Sequence, residues 1–347
     1  MKNKSNWVSE DLRKDDSWVY FLDDRDHYEL ECVIASSFHM TDSEFNRSQF
    51  EMPYLSWKLQ RVKDQLLNGR GIALIKNFPV NRYTEKDTIR GYAALAKVIG
   101  NLRPLNGMGW LVSHIRDFNV DQTKSHILHS QTNLLLDAHT DSCDIVSLLC
   151  LNVAAEGGMS YIASSEAILD QMDPADVTIL EKPLPYDRRT DIPPGEDPWF
   201  MMPITCIHEG KRIVNFNRLY VEFAVKLHAN CPPVSQQQWD VIDRFSQWAK
   251  DKKFGYRMMF EPGDIQLINN LVCVHGRTSY IDIEEQTRHL LRLWLSPKEA
   301  IPIPNYYKTR WGSTEPGARG GIKTKDVEYS LPVFTEACTI LKSLERM

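Results

Sequence analysis

The chain has 347 residues, 42% apolar content and a formal net charge of −5. Apolar sequence on this scale can bury a large core in one big domain or two small ones. The acidic balance argues against a surface that binds nucleic acid, because phosphate contacts need a basic patch. No apolar run reaches the roughly 18 residues of a membrane-spanning helix, so neither nucleic acid nor membrane is an expected partner.

The cysteines and the N-terminal segment indicate the cellular compartment in which the protein is expected. Seven cysteines are scattered along the chain without C-x-x-C spacing. An odd number without such spacing predicts free thiols rather than a disulfide framework or a zinc site. The first residues are polar and lack the apolar stretch of a signal peptide. These features predict a cytoplasmic protein.

The N-terminal third predicts a charged arm followed by two helices. Residues 1–50 are rich in charged and aromatic side chains and are expected to lie over the main domain as an arm. Residues 53–68 are predicted to form a helix that Gly69 terminates. Its apolar residues share one face: Leu55, Leu59, Val62 and Leu66. A short buried strand follows at 71–78.

Cap residues mark the second helix. Thr84 and Asp87 stand at the N-cap and N3 positions, with Asp in place of the Glu of a capping box. This pair predicts a helix that runs to Gly100.

The central region turns to strands. The run 145–154 is rich in Val, Ile and Leu and too short for a typical helix, and 159–165 is predicted as the next strand. Residues 183–203 hold six prolines and predict a long irregular loop. An active-site lid is the preferred interpretation, and a plain surface excursion is the alternative. A hairpin with its turn at Glu209-Gly210 is expected next.

The last predicted elements are a helix and two strands. Residues 235–250 predict a helix that Ser235 caps. Its apolar face is interpreted as core packing rather than a cofactor site: Trp239, Ile242, Phe245 and Ala249. A turn at 262–264 then leads into a strand that ends near His275. The segment from 301 onward is loop-like, with no role that the sequence identifies.

Two motifs carry the chemistry. His139 and Asp141 have H-x-D spacing, and residues i and i+2 of a strand point to the same face. His275 lies 136 residues downstream. Two histidines and one carboxylate form the set that holds Fe(II) on one face and leaves positions open for oxygen and an organic ligand. Each part alone is weak, but their combination and order favour this site.

Two arginines follow the second histidine. In the segment 288–296, Arg288, Arg292 and Trp294 share one face of the predicted strand. A guanidinium is a planar cation suited to a bidentate contact with a carboxylate. Two cations on such a face are costly without anionic partners. The alternative is that one of them pairs with a structural acid such as Asp264.

The sequence resembles the Fe(II)/2-oxoglutarate-dependent oxygenases of the taurine dioxygenase and clavaminate synthase-like group. The resemblance covers roughly residues 50–320. It is carried by five segments: NGRGIALIKNFPV, LDAHTDSCD, LLCLNVAAEGGMSYIASS, FEPGDIQLINNLVCVHGRTSY and RHLLRLWL.

The resemblance implies an α+β fold in which helices flank a double-stranded β-helix, or jelly-roll, core. The core would occupy residues 51–300, including the lid-like loop 183–203. Residues 1–50 would form the arm and 301–347 a C-terminal extension of what is overall a single domain. Whether the chain is a monomer or a homo-oligomer stays open.

The resemblance also implies the roles of the site residues. His139, Asp141 and His275 would bind Fe(II), and Arg288 would hold the distal carboxylate of the co-substrate 2-oxoglutarate. Ser160 stands where the family commonly has a threonine that assists Arg288. Arg292 stands where relatives contact an anionic group of the primary substrate.

The implied activity is oxidation of a C–H bond of a small amino acid or other small anion by O2, with release of succinate and CO2. Hydroxylation, desaturation and ring closure are all open. Two alternatives are a metal-dependent hydrolase and a non-catalytic metal-binding barrel. Three further histidines are expected to be polar loop residues: His114, His126 and His129.

Overall fold

The computed structural model describes residues 4–119, 131–189, 191–193, 195–322 and 327–344, with side chains through 340. His126 and His129 therefore lie outside the described residues. Within the described ranges, no helix is long and apolar enough to cross a membrane.

Helices flank a β core. The helices are α1 Ser9–Lys14, α2 Asp24–Ser37, α3 Asp42–Arg47, α4 Pro53–Asn68, α5 Glu85–Ile99, α6 Ser165–Leu169, α7 Pro174–Leu180, α8 Arg218–Leu227, α9 Gln236–Lys250, α10 Lys308–Trp311 and α11 Phe334–Leu344. The strands are β1 Val19–Phe21, β2 Ile72–Lys76, β3 Asn101–Arg103, β4 Ser113–Ile115, β5 Leu136–His139, β6 Ile145–Asn152, β7 Glu156–Gly157, β8 Ser160–Ser164, β9 Leu184–Asp187, β10 Trp199–Met202, β11 Thr205–His208, β12 Lys211–Val214, β13 Tyr256–Met258, β14 Ile265–Asn269, β15 Cys273–Arg277, β16 Tyr280–Ile281 and β17 His289–Ser296. Short 3-10 turns occupy Val80–Arg82 and Asn305–Tyr307.

Two sheets form the core. The larger has the order β1-β2-β14-β6-β17-β3, with β4 also paired to β17, and the smaller has the order β13-β8-β15-β5. The strands of both sheets pair antiparallel except β1 and β2, which are parallel. Many neighbours are distant in sequence, so the whole sheet must assemble before the site exists.

Side-chain alternation on β17 separates two environments. Leu291, Leu293 and Leu295 face outward into an apolar cluster with α4 and α5. Trp294 faces inward, where it shares a cluster with residues of both sheets, including Ile162 and Cys273 of the smaller one. The inner face of β17 therefore lies between the sheets, where the sequence pattern placed Arg292. The outer face of the smaller sheet packs on α9.

Most of the predicted elements are confirmed. Helix α4 has the predicted bounds, and its four predicted apolar residues are buried. The Thr84 side chain accepts a hydrogen bond from the backbone N–H of Asp87 at the start of α5. Glu209 and Gly210 both have positive φ, 48° and 74°, as a two-residue turn between β11 and β12 requires.

Three predictions of local structure need correction. Residues 183–203 are not wholly irregular, because β9 and β10 form an antiparallel pair. Leu184 lies opposite Met202, and Asp187 lies opposite Trp199. Proline is tolerated there because Pro185 stands in a two-stranded ribbon with open edges. The N-terminal segment does more than lie over the core, since β1 extends the larger sheet. The segment from 301 onward contains α10 and α11.

Candidate metal and co-substrate site

Strand pairing brings the two predicted histidines together. His139 is the last residue of β5, and His275 lies in the middle of β15. The two strands pair antiparallel with His275 directly opposite His139. Asp141 follows the end of β5 by two residues, so all three side chains meet near the β5 edge of the smaller sheet.

The three side chains form a compact and buried cluster. His139, Asp141 and His275 are 7%, 8% and 6% exposed. His275 Nε2 lies 3.8 Å from Asp141 Oδ2, and the imidazole centroids are 4.3 Å apart. One ligand atom from each residue lies within 4.8 Å of the others. This spacing allows one metal ion to contact all three.

Polar atoms without partners show that a metal ion fits. Among the described residues, buried Asp141 Oδ2 and His275 Nδ1 have no hydrogen-bond partner. An unsatisfied buried polar atom costs about 1–3 kcal/mol, more when charged. A cation bound by Asp141 would remove that cost at the carboxylate. Two imidazoles and one carboxylate also match the donors that Fe(II) takes in this kind of site.

Neighbouring groups orient the ligands. His139 Nδ1–H donates to the carbonyl oxygen of Asp137 at 2.9 Å, which leaves Nε2 as the metal-binding nitrogen. The backbone N–H of Asp141 donates to Asn270 Oδ1 at 3.0 Å. The sequence analysis missed Asn270, because nothing local marks it as a neighbour of residue 141.

The protonation states suit metal binding. Burial lowers the pKa of His139, and burial with the nearby His139 ring lowers the pKa of His275 to about 3. Both imidazoles are therefore neutral near pH 7. Burial alone would raise the pKa of Asp141, but the opposing interactions, led by the charge of Arg292, outweigh it, so the pKa is lowered. The carboxylate is therefore ionised.

Arg292 faces the metal cluster. Its Nη1 lies 3.4 Å from Asp141 Oδ1, and its guanidinium stands 5.4 Å from the Trp294 ring centroid. Asp264 instead lies 3.3 Å from Lys76 Nζ. The alternative in which an arginine pairs with Asp264 is therefore wrong, and Arg292 contacts a predicted metal ligand.

Arg288 lies in a separate buried position just before β17. Its Nη1 has no hydrogen-bond partner in the part of the chain that the structure describes. A Cβ added to Gly158, which has φ +69°, would lie 3.1 Å from Arg288 Nε. The Gly157-Gly158 segment thus packs against the guanidinium. Ser160 Oγ lies 3.3 Å from Gln266 Oε1, and no hydrogen bond between Ser160 and Arg288 is seen among the described side chains.

A second buried arginine beside Arg288 was missed. Arg277 stacks on Tyr280, 4.6 Å from the ring centroid, and Arg288 stands 5.2 Å from the same ring. Arg277 Nη2 donates to the carbonyl oxygen of Thr132 at 2.6 Å. Burial and the charge of Arg288 lower the pKa of Arg277 to about 10. The H-x-R spacing from His275 could have indicated it, because period two places both on one face of β15.

The prediction that His114 is a polar loop residue is wrong. It is buried in β4, where Glu85, His114 and His289 form a second cluster of potential ligands. The Nε2–H of His114 donates to the carbonyl oxygen of Pro332 at 2.9 Å, so its Nδ1 accepts from His289 Nε2–H at 2.8 Å. Hydrogen bonds thus satisfy the facing nitrogens, and the cluster joins β4, β17 and the segment before α11.

Sequence comparison relates the chain to a known family. A sequence model described as "Taurine catabolism dioxygenase TauD, TfdA family" matches residues 38–294. FR-33289 synthase of Streptomyces rubellomurinus is 29% identical over 324 residues, 89% of this chain and 94% of its own. The taurine hydroxylase-like protein SAT17 of Stachybotrys chartarum is 26% identical over 84% of this chain and 79% of its own.

Solved structures show the same fold. Asparagine oxygenase with Fe(II), 2S,3S-3-hydroxyasparagine and succinate superposes with a TM-score of 0.59 at 14% identity. The non-heme iron oxygenase OrfP with Fe and alpha-ketoglutaric acid gives 0.55 at 13% identity. Each comparison covers 80% of this chain and 93% of the other.

Proposed function

The chain belongs to the taurine catabolism dioxygenase TauD, TfdA family, and we propose that His139, Asp141 and His275 are its iron ligands. The protein is a 2-oxoglutarate-dependent dioxygenase that uses iron. That membership overturns the alternatives of a hydrolase and a non-catalytic barrel. The two opposed sheets are interpreted as the double-stranded β-helix core, with 1–50 and 301–347 as extensions of a single domain and 183–203 as its lid.

One observation carries the ligand assignment. Buried Asp141 is an ionised carboxylate with an oxygen that no described residue satisfies, and it faces two neutral imidazoles. When bound, Fe(II) and 2-oxoglutarate supply an oxidant, formed with O2, that attacks a C–H bond with release of succinate and CO2. The protein contributes orientation, charge and exclusion of water.

Arg288 is proposed to hold the distal carboxylate of 2-oxoglutarate. It is a buried cation with an unoccupied Nη1, held in place by the close approach of Gly158. A charge-assisted contact with a carboxylate would offset the cost of burying it. Ser160 is proposed to add a weaker hydrogen bond, with Gln266 as its present partner.

Arg292 is proposed to contact an anionic group of the primary substrate. It lies on the same inner face but beside Asp141, so it borders the metal rather than the Arg288 position. We propose a small organic anion, such as an amino acid, as the substrate. Two solved structures support this: asparagine oxygenase binds 2S,3S-3-hydroxyasparagine in its complex, and OrfP binds (3S)-hydroxy-L-Arg. Hydroxylation is the favoured outcome, with desaturation and ring closure as the other expected reaction types.

Anaerobic titration tests the proposal. Addition of Fe(II) and then 2-oxoglutarate should give the weak visible charge-transfer band of an Fe(II)–keto acid chelate. His275→Ala should lose this band. Failure of the wild-type protein to form it with both components present would contradict the assigned site.

A further inference from the structure

The cluster of Glu85, His114 and His289 lies on the outer face of β17. His114 and His289 are 3% and 7% exposed, and Glu85 is the first residue of α5. In the pairing of β4 with β17, His114 lies directly opposite Leu291, which belongs to the outer apolar cluster with α5. His289 stands two residues before Leu291 and shares its face. The cluster is therefore separated from Arg292 and the predicted iron site by the sheet itself.

The three donor atoms of the cluster are spaced closely enough for one small metal ion. They all lie within 4.8 Å of one another. His114 Nδ1 lies 2.8 Å from His289 Nε2 and 3.7 Å from Glu85 Oε1. In a tetrahedral zinc site with Zn–N bonds of about 2.0–2.1 Å, two ligand nitrogens stand roughly 3.3 Å apart. Zinc binding would therefore separate the imidazoles by about half an ångström and draw the carboxylate in by a few tenths.

Backbone groups orient two of the three side chains. His114 Nε2–H donates to the carbonyl oxygen of Pro332 at 2.9 Å, which directs the Nδ1 lone pair into the cluster. Glu85 Oε1 accepts from the backbone N–H of Phe334 at 2.9 Å. Metal-binding imidazoles almost always donate their other N–H to an oxygen, and metal-binding carboxylates are themselves hydrogen-bonded. The surroundings of His114 and Glu85 follow this pattern.

The protonation states suit a metal ligand set. Burial lowers the pKa of His114, and burial together with the nearby His114 ring lowers the pKa of His289 to about 3. Both rings are therefore neutral near pH 7. The charges of Arg116 and Arg288 also act on His289 and oppose a further cation, whereas the charge of Glu85 favours one beside His114. In the metal-free protein His289 carries its proton on Nε2, so zinc binding must move that proton to Nδ1.

The carboxylate side of the cluster is open to solvent. The side chain of Glu85 is 33% exposed, whereas that of His114 is fully buried. A hydrated ion can therefore enter beside Glu85, and a water molecule can take a fourth position. Magnesium and calcium take mainly oxygen ligands, whereas two imidazoles, one carboxylate and one water form a common zinc site.

We propose that Glu85, His114 and His289 bind one Zn(II) ion, which fixes the start of α11 on the outer face of the core. The ion would join α5, β4 and β17 directly, and the segment at 332–334 through its hydrogen bonds to His114 and Glu85. This site is independent of the proposed function, because the predicted iron ligands lie on the other side of the sheet. The competing interpretation is a histidine pair held by hydrogen bonds alone.

Zinc stoichiometry tests the proposal on the metal-free, full-length chain. By calorimetry the wild type should bind two Zn(II) ions, one at the predicted iron site and one at this cluster. Glu85→Gln keeps an oxygen that can accept from Phe334 N–H, and it should weaken one of the two sites at least tenfold. Glu336→Gln removes an exposed carboxylate from α11 and should leave both sites unchanged.

Two further measurements assign the second ion. Nitrogen-15 NMR of the imidazoles should show the His289 proton moving from Nε2 to Nδ1 when zinc is added to the wild type, and no such change in Glu85→Gln. His275→Ala, which lacks a predicted iron ligand, should still bind one zinc ion tightly and gain Tm from it. The double variant His275→Ala/Glu85→Gln should lose this gain.

Three outcomes would overturn the proposal. They are a wild type whose single zinc ion is lost in His275→Ala, a Glu85→Gln variant that keeps both sites, and a Glu336→Gln variant that loses as much affinity as Glu85→Gln. If Glu85→Gln does not fold, an unchanged His289 tautomer in the zinc-loaded wild type overturns it instead. A single zinc ion that is kept in His275→Ala and lost in Glu85→Gln would support this site and contradict the assigned iron ligands.

Discussion

Asp141 concentrates the chemistry of the site in one side chain. Its two oxygens have different surroundings: Oδ1 lies 3.4 Å from Arg292, while Oδ2 faces His275 at 3.8 Å and has no hydrogen-bond partner among the described residues. A carboxylate held in this way stays ionised and directs one oxygen toward a cation. The binding of a cation should therefore stabilise the folded protein.

Asp141→Ala should abolish turnover and the stabilisation by iron. Ligand that binds only the native state stabilises it by about 2.7 kcal/mol at one hundred times its Kd. Anaerobic Fe(II) should accordingly raise the Tm of the wild type and leave that of Asp141→Ala nearly unchanged. Glu284→Ala, at an exposed position, is the control. Near-native turnover of 2-oxoglutarate by Asp141→Ala would refute its role as a ligand.

Arg288→Ala should weaken binding of 2-oxoglutarate strongly. Loss of one partner of a buried charge-assisted pair costs about 2–5 kcal/mol. The Kd for 2-oxoglutarate, measured from the charge-transfer band, reports this directly. Arg257→Ala removes an exposed arginine of β13 and should leave the Kd unchanged. An unchanged Kd in Arg288→Ala would show that another cation, such as Arg277, holds the co-substrate.

Arg292→Ala should impair the use of the primary substrate without impairing the binding of 2-oxoglutarate. Because Arg292 borders Asp141 and not the Arg288 position, 2-oxoglutarate affinity should change little, while its decay becomes uncoupled from substrate oxidation. The ratio of succinate formed to substrate oxidised measures the coupling. Loss of 2-oxoglutarate affinity with normal coupling would reverse the roles of the two arginines.

At the scale of elements, α5 supports β17, the strand that carries Arg292 and directly follows Arg288. Its apolar face packs in the same cluster as Leu291, Leu293 and Leu295 on the outer face of β17. The helix begins at the Thr84 cap, where the side-chain oxygen accepts from Asp87 N–H at 3.2 Å. The cap therefore contributes to the stability of the wall behind the site.

Thr84→Ala should lower the free energy of unfolding by about 1 kcal/mol, within the range of roughly 0.5–2 kcal/mol for lost N-caps. Urea denaturation of the iron-free protein measures it. Thr84→Ser keeps the acceptor oxygen and should stay within a few tenths of a kcal/mol of the wild type. Equal losses in both variants would show that packing of the threonine methyl group, not the cap, is responsible.

At the scale of the whole molecule, the segment around Arg319 joins the described part of the C-terminal extension to the core. Arg319 Nη2 lies 2.6 Å from Asp144 Oδ1 and also donates to the carbonyl oxygen of Ile301 at 2.6 Å. One buried guanidinium therefore contacts both Ile301, at the start of the extension, and Asp144. Ser296 at the end of β17 donates to Asp144 as well, at 2.9 Å. The end of β17 and the C-terminal extension therefore both contact the carboxylate of Asp144, in the segment that follows Asp141.

Arg319→Met should destabilise the protein by about 3–5 kcal/mol, because it leaves a buried carboxylate without its partner. Thermal and urea unfolding measure the loss. Arg13→Met removes an exposed cation 3.6 Å from Glu10 and should cost less than about 1 kcal/mol. A small effect of Arg319→Met would mean that the Asp144 carboxyl is held by other groups or takes up a proton.

Local patterns in the sequence determined several secondary-structure elements and part of the candidate site. Apolar spacing predicted α4 and its buried face, cap residues predicted the start of α5, and H-x-D spacing predicted the His139–Asp141 pair. These features depend on residues within one or two turns or strand steps of each other, where backbone geometry fixes the relative side-chain directions. The same alternation placed Arg292 and Trp294 on the inner face of β17.

Only the tertiary structure decided which distant residues meet. The register of β15 on β5 puts His275 opposite His139, and a one-residue slip would turn the side chain to the other face. Asn270 and Arg310 reach residues 141 and 142 through loops and a short helix that have no periodic pattern. Their positions depend on packing of the whole core, because contacts across such sequence separations are set by the assembled sheets and not by local backbone preference.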